Sequence, residues 1–370
     1  MRILYLTNLS SPYRVDFFNE LVRSGADVTV LFERRNAKNR DQKWQSEEKF
    51  LFQCIYLKSL KIGNESSLSF DAIKYIRKQD FDLIVIGGYS TITAMLCIEY
   101  LRLMKIPFII NADGGMICRD SWIKLKIKKH FIGSASAWLS SGPVTTNYLV
   151  HYGAKPEKVY EFPFSSIKNA DIEMPLIEVE KEKLRKKMQL SERKTILFVG
   201  QFIYRKGIDV LLDSVRKLSS VKLNVLLVGG EANENLKKIV KDYKMENVHF
   251  IPFKSKEKLK DFYKVTDVFV LPTRYDIWGL VINEAMGYGV PVVSTNQCVA
   301  AQTMITPGKN GFIVNVNDAD ALSKKIEFLL KNDEIRMSFA QNAFATAQSY
   351  TIEHMARRHI EIFQALKGCT

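Results

Sequence analysis

The sequence is short of cysteine and histidine, with five of each in 370 residues. Cys54, Cys97, Cys118, Cys298 and Cys369 lie far apart, with no C-x-x-C pair and no histidine at metal spacing. This argues against a disulfide scaffold, a redox motif or a zinc site, and reduced thiols are expected. Long apolar runs are also missing. Residues 91–110 lean apolar but are broken by Glu99, Arg102, Lys105 and Pro107, so no segment is expected to cross a bilayer. The start, MRILYLTNLSSPYR, lacks the apolar core and small-residue cleavage site of a signal peptide and reads as a first strand. No strand is followed by G-x-G-x-x-G and no G-x-x-x-x-G-K-[ST] occurs, which speaks against NAD-binding and P-loop NTPase readings. Acidic residues are the last shortage. Against 54 Lys+Arg stand 40 Asp+Glu, a formal net charge of +14. That excess calls for an anionic partner: nucleic acid, an acidic membrane face or substrate phosphate.

What is present is an ordinary globular composition, 46% hydrophobic and 25% charged, with length for roughly two domains. Short β-branched runs alternate with helix-period segments, the pattern of open parallel sheets. In the first half the runs are 2–7, 27–32, 82–88, 107–113 and 137–141. In the second they are 195–200, 224–230, 248–252, 268–272, 291–295 and 311–314. Residues 167–193 read as a linker followed by a short solvent-facing helix. The expected fold class is α/β, two Rossmann-like doubly wound domains facing across a cleft. The first domain spans 1–168, with a C-terminal helix at 350–370 packing back on it, and the second spans 178–349. Ligands of such sheets bind beyond the carboxyl ends of the strands.

At one strand end of the second half stand Gly200, a short loop and then Arg205-Lys206-Gly207 before an apolar helix. Two cations beside a glycine form a compact anion site; the alternative is a pair of solvated charges. At another, VFVLPTRYDIWGLVINEAMGYG places Asp276 and Trp278 in a loop and opens a helix at Gly279, where a helix N-terminus favours phosphate. Asp276 could instead cap that helix. Glu284 lies among Val281, Ile282, Ala285 and Met286, where an unpaired carboxylate is costly.

These segments resemble family 4 retaining glycosyltransferases of the GT-B fold. The Asp276…Glu284 spacing matches their E-x7-E signature, and G-Q-F-I-Y-R-K-G-I-D matches their Gly-rich strand with its basic pair. Further similarity lies in SPYRVDFFNELVRSGADVTVLF, in the turn at residues 308–311 and in the closing helix. The resemblance implies that Arg205 and Lys206 hold the donor diphosphate with the N–H groups of Gly279, Leu280 and Val281, and Gly200 and Trp278 are further donor-binding candidates. It implies that Glu284 binds ribose hydroxyls and that Asp276, one methylene shorter than the family's Glu, contacts the transferred sugar. Gln201 replaces a common arginine, with Arg205 as the substitute cation. In the first half, Asn111 and Asp113 stand where relatives place a histidine and are polar candidates toward sugar or acceptor, although an Asp-Gly turn explains Asp113 equally simply. Ser10, Ser11, Arg14, residues 87–89 and residues 140–142 are further candidates near the same strand ends.

The implied reaction is transfer of a hexose-type sugar from a nucleotide diphosphate sugar, UDP-sugars ahead of GDP-sugars, to a hydroxyl of a lipid-linked or polysaccharide precursor, as in capsule or exopolysaccharide synthesis. No cofactor and no metal are expected, and Asp318-Ala319-Asp320 reads as a helix cap rather than a metal motif. Lys124, Lys126, Lys128 and Lys129, interleaved with Ile123, Ile127 and Phe131, suit docking on an anionic membrane or a core helix with a solvated basic face. The expected location is cytoplasmic, peripheral on the inner face of the cell membrane. An epimerase or hydrolase on the same fold, and a nucleic-acid-binding protein driven by charge, are the alternatives. No RNA-binding or helix-turn-helix signature supports the last.

Overall fold

The structure is a computed structural model and describes residues 1–35, 49–62, 66–77, 81–191, 193–218 and 223–368. The chain forms two compact units, Met1–Ser166 with Thr351–Thr370, and Ile167–Tyr350.

The first unit contains β1 (Arg2–Leu9), β2 (Asp27–Arg34), β3 (Gln53–Tyr56), β4 (Leu60–Ile62), β5 (Ser66–Leu68), β6 (Leu83–Ile86), β7 (Ile109–Ala112), β8 (Ala137–Ser140) and β9 (Val159–Glu161). Seven of these form a parallel sheet in the order β3-β2-β1-β6-β7-β8-β9, and β4 and β5 form a separate antiparallel hairpin. Strands β1 and β2 are buried along nearly their whole length, as parallel strands covered by helices on both faces must be, hence their unbroken apolar runs. The crossover helix Pro12–Arg23 starts on a proline, and Ile92–Leu103 starts on Thr91, whose hydroxyl accepts from the Ala94 N–H at 3.1 Å. The last helix, Ile352–Gly368, packs on Pro12–Arg23 through Met355, Ala356, His359, Ile362 and Phe363.

The second unit contains β10 (Lys194–Val199), β11 (Leu223–Val228), β12 (Val248–Ile251), β13 (Val268–Leu271), β14 (Val292–Thr295) and β15 (Gly311–Val314). They form a parallel sheet ordered β12-β11-β10-β13-β14-β15, the doubly wound arrangement whose order reverses between β10 and β13. Ligand-binding loops are therefore sought at the carboxyl ends of these two strands, and at those of β1 and β6 in the first unit.

Two features differ from the sequence reading. Strands β3, β4, β5 and β9 have no strong apolar run and were not anticipated. The helix Glu178–Lys187 does not face solvent all round. Arg185 is fully buried, donating to Asp267 Oδ2 at 2.7 Å and to Glu178 Oε1 at 2.7 Å. Lys181 adds a 3.3 Å contact to Asp267 Oδ1. An entirely solvated helix of this composition would have little to hold it, and the ion cluster supplies the attachment.

Candidate active site

At the switch point of the second unit, the loop after β10 closes on the loop after β13. Gly207 has φ +70°, and a Cβ there would collide with the Pro272 carbonyl oxygen, so only glycine lets the two loops touch. The contact is locked by hydrogen bonds. The Arg274 N–H donates to the Arg205 carbonyl at 2.8 Å, and Thr273 Oγ1 donates to the same oxygen at 3.0 Å. Arg274 also forks onto Asp209 at 2.9 and 2.7 Å, donates to the Tyr204 carbonyl at 2.6 Å and lies 3.9 Å from the Tyr204 ring centroid. Sequence reasoning missed Arg274, because its partners come from another crossover and no local pattern marks it.

This bracing brings three predicted residues together. Lys206 Nζ lies 2.5 Å from Asp276 Oδ2. Arg205 lies 3.6 Å from Asp276 Oδ1 and donates to the Tyr275 carbonyl at 2.8 Å. Asp276 does not cap the following helix; its backbone is clipped to Gln297 and Val299 instead. The helix Leu280–Gly287 begins at Gly279 in the left-handed region, φ +107°. A Cβ on Gly279 would meet Cys298 Sγ at 2.7 Å. Burial pushes the Cys298 thiol up to about 12, so it stays protonated and donates to the Trp278 carbonyl at 2.9 Å. Leu280 and Val281 stand in the first turn, whose N–H groups lack intrahelical acceptors and aim outward. Gly200 closes β10, its N–H bound to the Val228 carbonyl at 2.9 Å.

The Trp278 side chain is buried, and its indole N–H donates to Asn283 Oδ1 at 3.0 Å, so the ring anchors the loop from within. Glu284 is half-buried on the helix, with one oxygen accepting from Tyr263 at 2.8 Å.

In the first unit, Asn111 and Asp113 follow β7. Asn111 is buried; Tyr5 donates to its Oδ1 at 3.2 Å, and its Nδ2 donates to Asp113 Oδ1 at 2.9 Å. Asp113 also pairs with Arg14 of the helix Pro12–Arg23. His359, from the last helix, sets Nε2 at 3.3 Å from Asn111 Oδ1 and Nδ1 at 2.8 Å from the Met355 carbonyl. Burial lowers this histidine to about 3, so it is neutral at ordinary pH and carries one N–H. Asp113 is thus held from Arg14 and Asn111, more than an Asp-Gly turn requires. Arg14 Nη1 and Ser11 Oγ are buried with no hydrogen-bond partner. Tyr89 and Tyr148 join hydroxyls at 2.9 Å. Ser140 and Ser141 are buried and spend their hydroxyls within the turn that starts the next helix.

The basic helix Trp122–Ile132 corrects the expected stripe. Leu125 and Phe131 pack toward the core with Ile132, while Trp122, Ile123 and Ile127 are 67%, 52% and 42% exposed. Lys124, Lys126 and Lys129 share that exposed surface. Lys128 does not, since its Nζ lies 2.8 Å from Asp120 and donates to Tyr152 at 3.2 Å.

Asp318 caps the helix Ala319–Lys331, accepting from the Ala321 N–H at 2.8 Å. Among the described residues no three His, Cys, Asp or Glu side chains gather as a metal site, and no helix is long and apolar enough to cross a membrane.

Residues 180–346 match the family model described as glycosyl transferases group 1. The capsular polysaccharide biosynthesis glycosyltransferase CapM of Staphylococcus aureus is 31% identical over 194 residues, 51% of this chain and 50% of that protein. An N,N'-diacetylbacillosaminyl-diphospho-undecaprenol alpha-1,3-N-acetylgalactosaminyltransferase of Campylobacter jejuni is 24% identical over 188 residues, 50% of this chain and 49% of that protein. The chain spans about half the length of the curated relatives it matches. Among solved structures, Anabaena HepE in complex with UDP-glucose superposes with a TM-score of 0.77 at 17% identity, covering 100% of both chains. In sequence, residues 180–346 are similar to the group 1 glycosyl transferases, and in fold the chain is of the GT-B type with two Rossmann-like domains.

Proposed function

We propose that the protein is a retaining glycosyltransferase of family 4 type. It transfers a hexose-type sugar from a nucleotide diphosphate sugar, UDP-sugars ahead of GDP-sugars, to a hydroxyl of a lipid-linked or polysaccharide precursor. The observation that carries this reading is the meeting of Arg205 and Lys206 with Asp276, three residues before the helix start at Gly279, in the segment similar to group 1 glycosyl transferases. The solved complex of HepE with UDP-glucose supports a UDP-sugar donor. The names of the Staphylococcus and Campylobacter relatives support a polysaccharide or lipid-linked acceptor.

Charge develops on the leaving diphosphate as the glycosidic bond breaks. Lys206, Arg205 and the N–H groups of Gly279, Leu280 and Val281 stabilise it, and Gly200 lets the backbone approach. Asp276 turns from Lys206 toward hydroxyls of the transferred sugar, and Glu284 accepts from the ribose. Asn111 and Asp113 supply polar contacts to sugar or acceptor. No side chain is assigned as a covalent nucleophile. Attack is on the front face of an oxocarbenium-like centre, as in the family, and no metal takes part.

The exposed Trp122, Ile123 and Ile127 among Lys124, Lys126 and Lys129 suit a peripheral position on an anionic membrane, where apolar and cationic contacts add. The protein then works from the cytoplasmic side. A thermal-shift series with UDP-, GDP- and ADP-sugars tests the donor, since a ligand of the folded state raises its melting temperature. Product analysis with and without a lipid-linked acceptor tests the reaction. Turnover of the donor without acceptor, to free sugar or an epimer, would overturn transfer in favour of hydrolysis or epimerisation.

A further inference from the structure

Glu284 is oriented by a device that the proposed function does not use. Tyr263 lies in the last turn of the helix Lys256–Lys264 and is 2% exposed. Its ring stacks on Tyr288 with centroids 5.5 Å apart and planes within 5°, and it leans on Phe269 at 6.1 Å. Phenylalanine would fill this space and stack equally well. The hydroxyl is directed at Glu284 Oε2, to which it donates at 2.8 Å. Burial first, then the Glu284 charge, raises the phenol well above its ordinary value, so it remains a donor at every physiological pH. A carboxylate offers about four lone-pair sites. Tyr263 occupies one and helps to orient the carboxylate. The other sites then lie in set directions, the requirement for two adjacent hydroxyls on a five-membered ring.

We infer that Tyr263 is a positioning residue which, through Glu284, makes this site selective for ribonucleotides over 2′-deoxyribonucleotides. The inference rests on the proposed function, in which Glu284 accepts from the donor's ribose. Removing the hydroxyl leaves the rings packed and takes away one of the contacts that orient the carboxylate.

The test is calorimetric titration of UDP, GDP and ADP, each beside its 2′-deoxy counterpart, into the parent protein, Tyr263→Phe and Glu284→Ala. The parent is expected to prefer one ribonucleotide over its deoxy form by about tenfold, the value of a hydrogen bond to a charged group. In Tyr263→Phe that preference falls below about threefold because the ribonucleotide loses more affinity than the deoxy form, and Glu284→Ala abolishes it. A merely structural role would weaken both nucleotides alike and lower the melting temperature. If Tyr263→Phe keeps the parent's full preference, the inference is overturned and the proposed function stands. If the parent binds none of the three nucleotides, the proposed function falls and takes the inference with it.

Discussion

Lys206 and Asp276 are 70 residues apart in sequence, yet their charged atoms meet at 2.5 Å, each side chain about 13% exposed. The cation proposed for the diphosphate already has an internal counter-ion. Truncating Lys206 alone leaves a half-buried carboxylate beside the incoming phosphates. Lys206→Ala is expected to lower kcat/KM for transfer by about 10²–10³-fold. The double variant Lys206→Ala/Asp276→Asn is expected to bind nucleoside diphosphate more tightly than Lys206→Ala, because the repulsion has gone. Calorimetry checks this; equal affinities would mean that the two side chains are not coupled.

Arg274 holds the Tyr204–Lys206 turn without being assigned to substrate. Arg274→Ala is expected to weaken nucleotide binding by about tenfold while the protein still folds cooperatively. Arg274→Lys should not restore it, since an ammonium cannot reproduce the fork onto Asp209 together with the stack on Tyr204. Full rescue by lysine would assign Arg274 a simple charge effect.

Asp267 is fully buried and receives Arg185, Lys181 and the Thr195 N–H. Burial alone would raise its carboxyl, but Lys181, Arg185 and Arg336 together with the Thr195 N–H outweigh burial and hold it below the ordinary value. A folded pKa below the unfolded value of about 3.9 stabilises the fold above that pH, and the contribution is lost as pH falls through the folded pKa. Urea melts read at pH 7 and between pH 4 and 2 are expected to show that loss. Asp267→Ala, which leaves the buried Arg185 with Glu178 and the Val265 carbonyl alone, should cost about 3–5 kcal/mol at pH 7 and remove Asp267's share of the acid dependence.

On the basic helix, the variant Lys124→Glu/Lys126→Glu/Lys129→Glu is expected to stop sedimentation with anionic liposomes at low salt, and Ile123→Ser/Ile127→Ser to weaken it. Lys128→Glu should instead lower thermal stability, because Lys128 is engaged with Asp120 and Tyr152. If the triple variant sediments as the parent does, this surface is not the membrane contact.

The long strands and the loops at their carboxyl ends were legible because a strand buried on both faces needs an uninterrupted apolar run, and the turn that follows needs glycine. Short strands such as β3 and β9 carry no such signature, since partial burial tolerates mixed residues. The roles of Arg274, Tyr263 and Arg185 depend on partners from distant segments and leave no spacing to read. The helix Trp122–Ile132 shows the opposite failure: Ile123, Ile127 and Phe131 have ideal core spacing, yet the two isoleucines face outward, because periodicity identifies a face without saying what covers it.

The first unit is completed by the helix Ile352–Gly368, which carries His359 to Asn111. During synthesis the strands β1 to β9 emerge before the helix that covers Phe17 exists. The second unit, contiguous in the chain, can fold on the ribosome while the first waits with an uncovered apolar face. Nascent chains halted before Thr351 are therefore the ones expected to need a chaperone, and release of the last helix is the event that closes folding of the first unit.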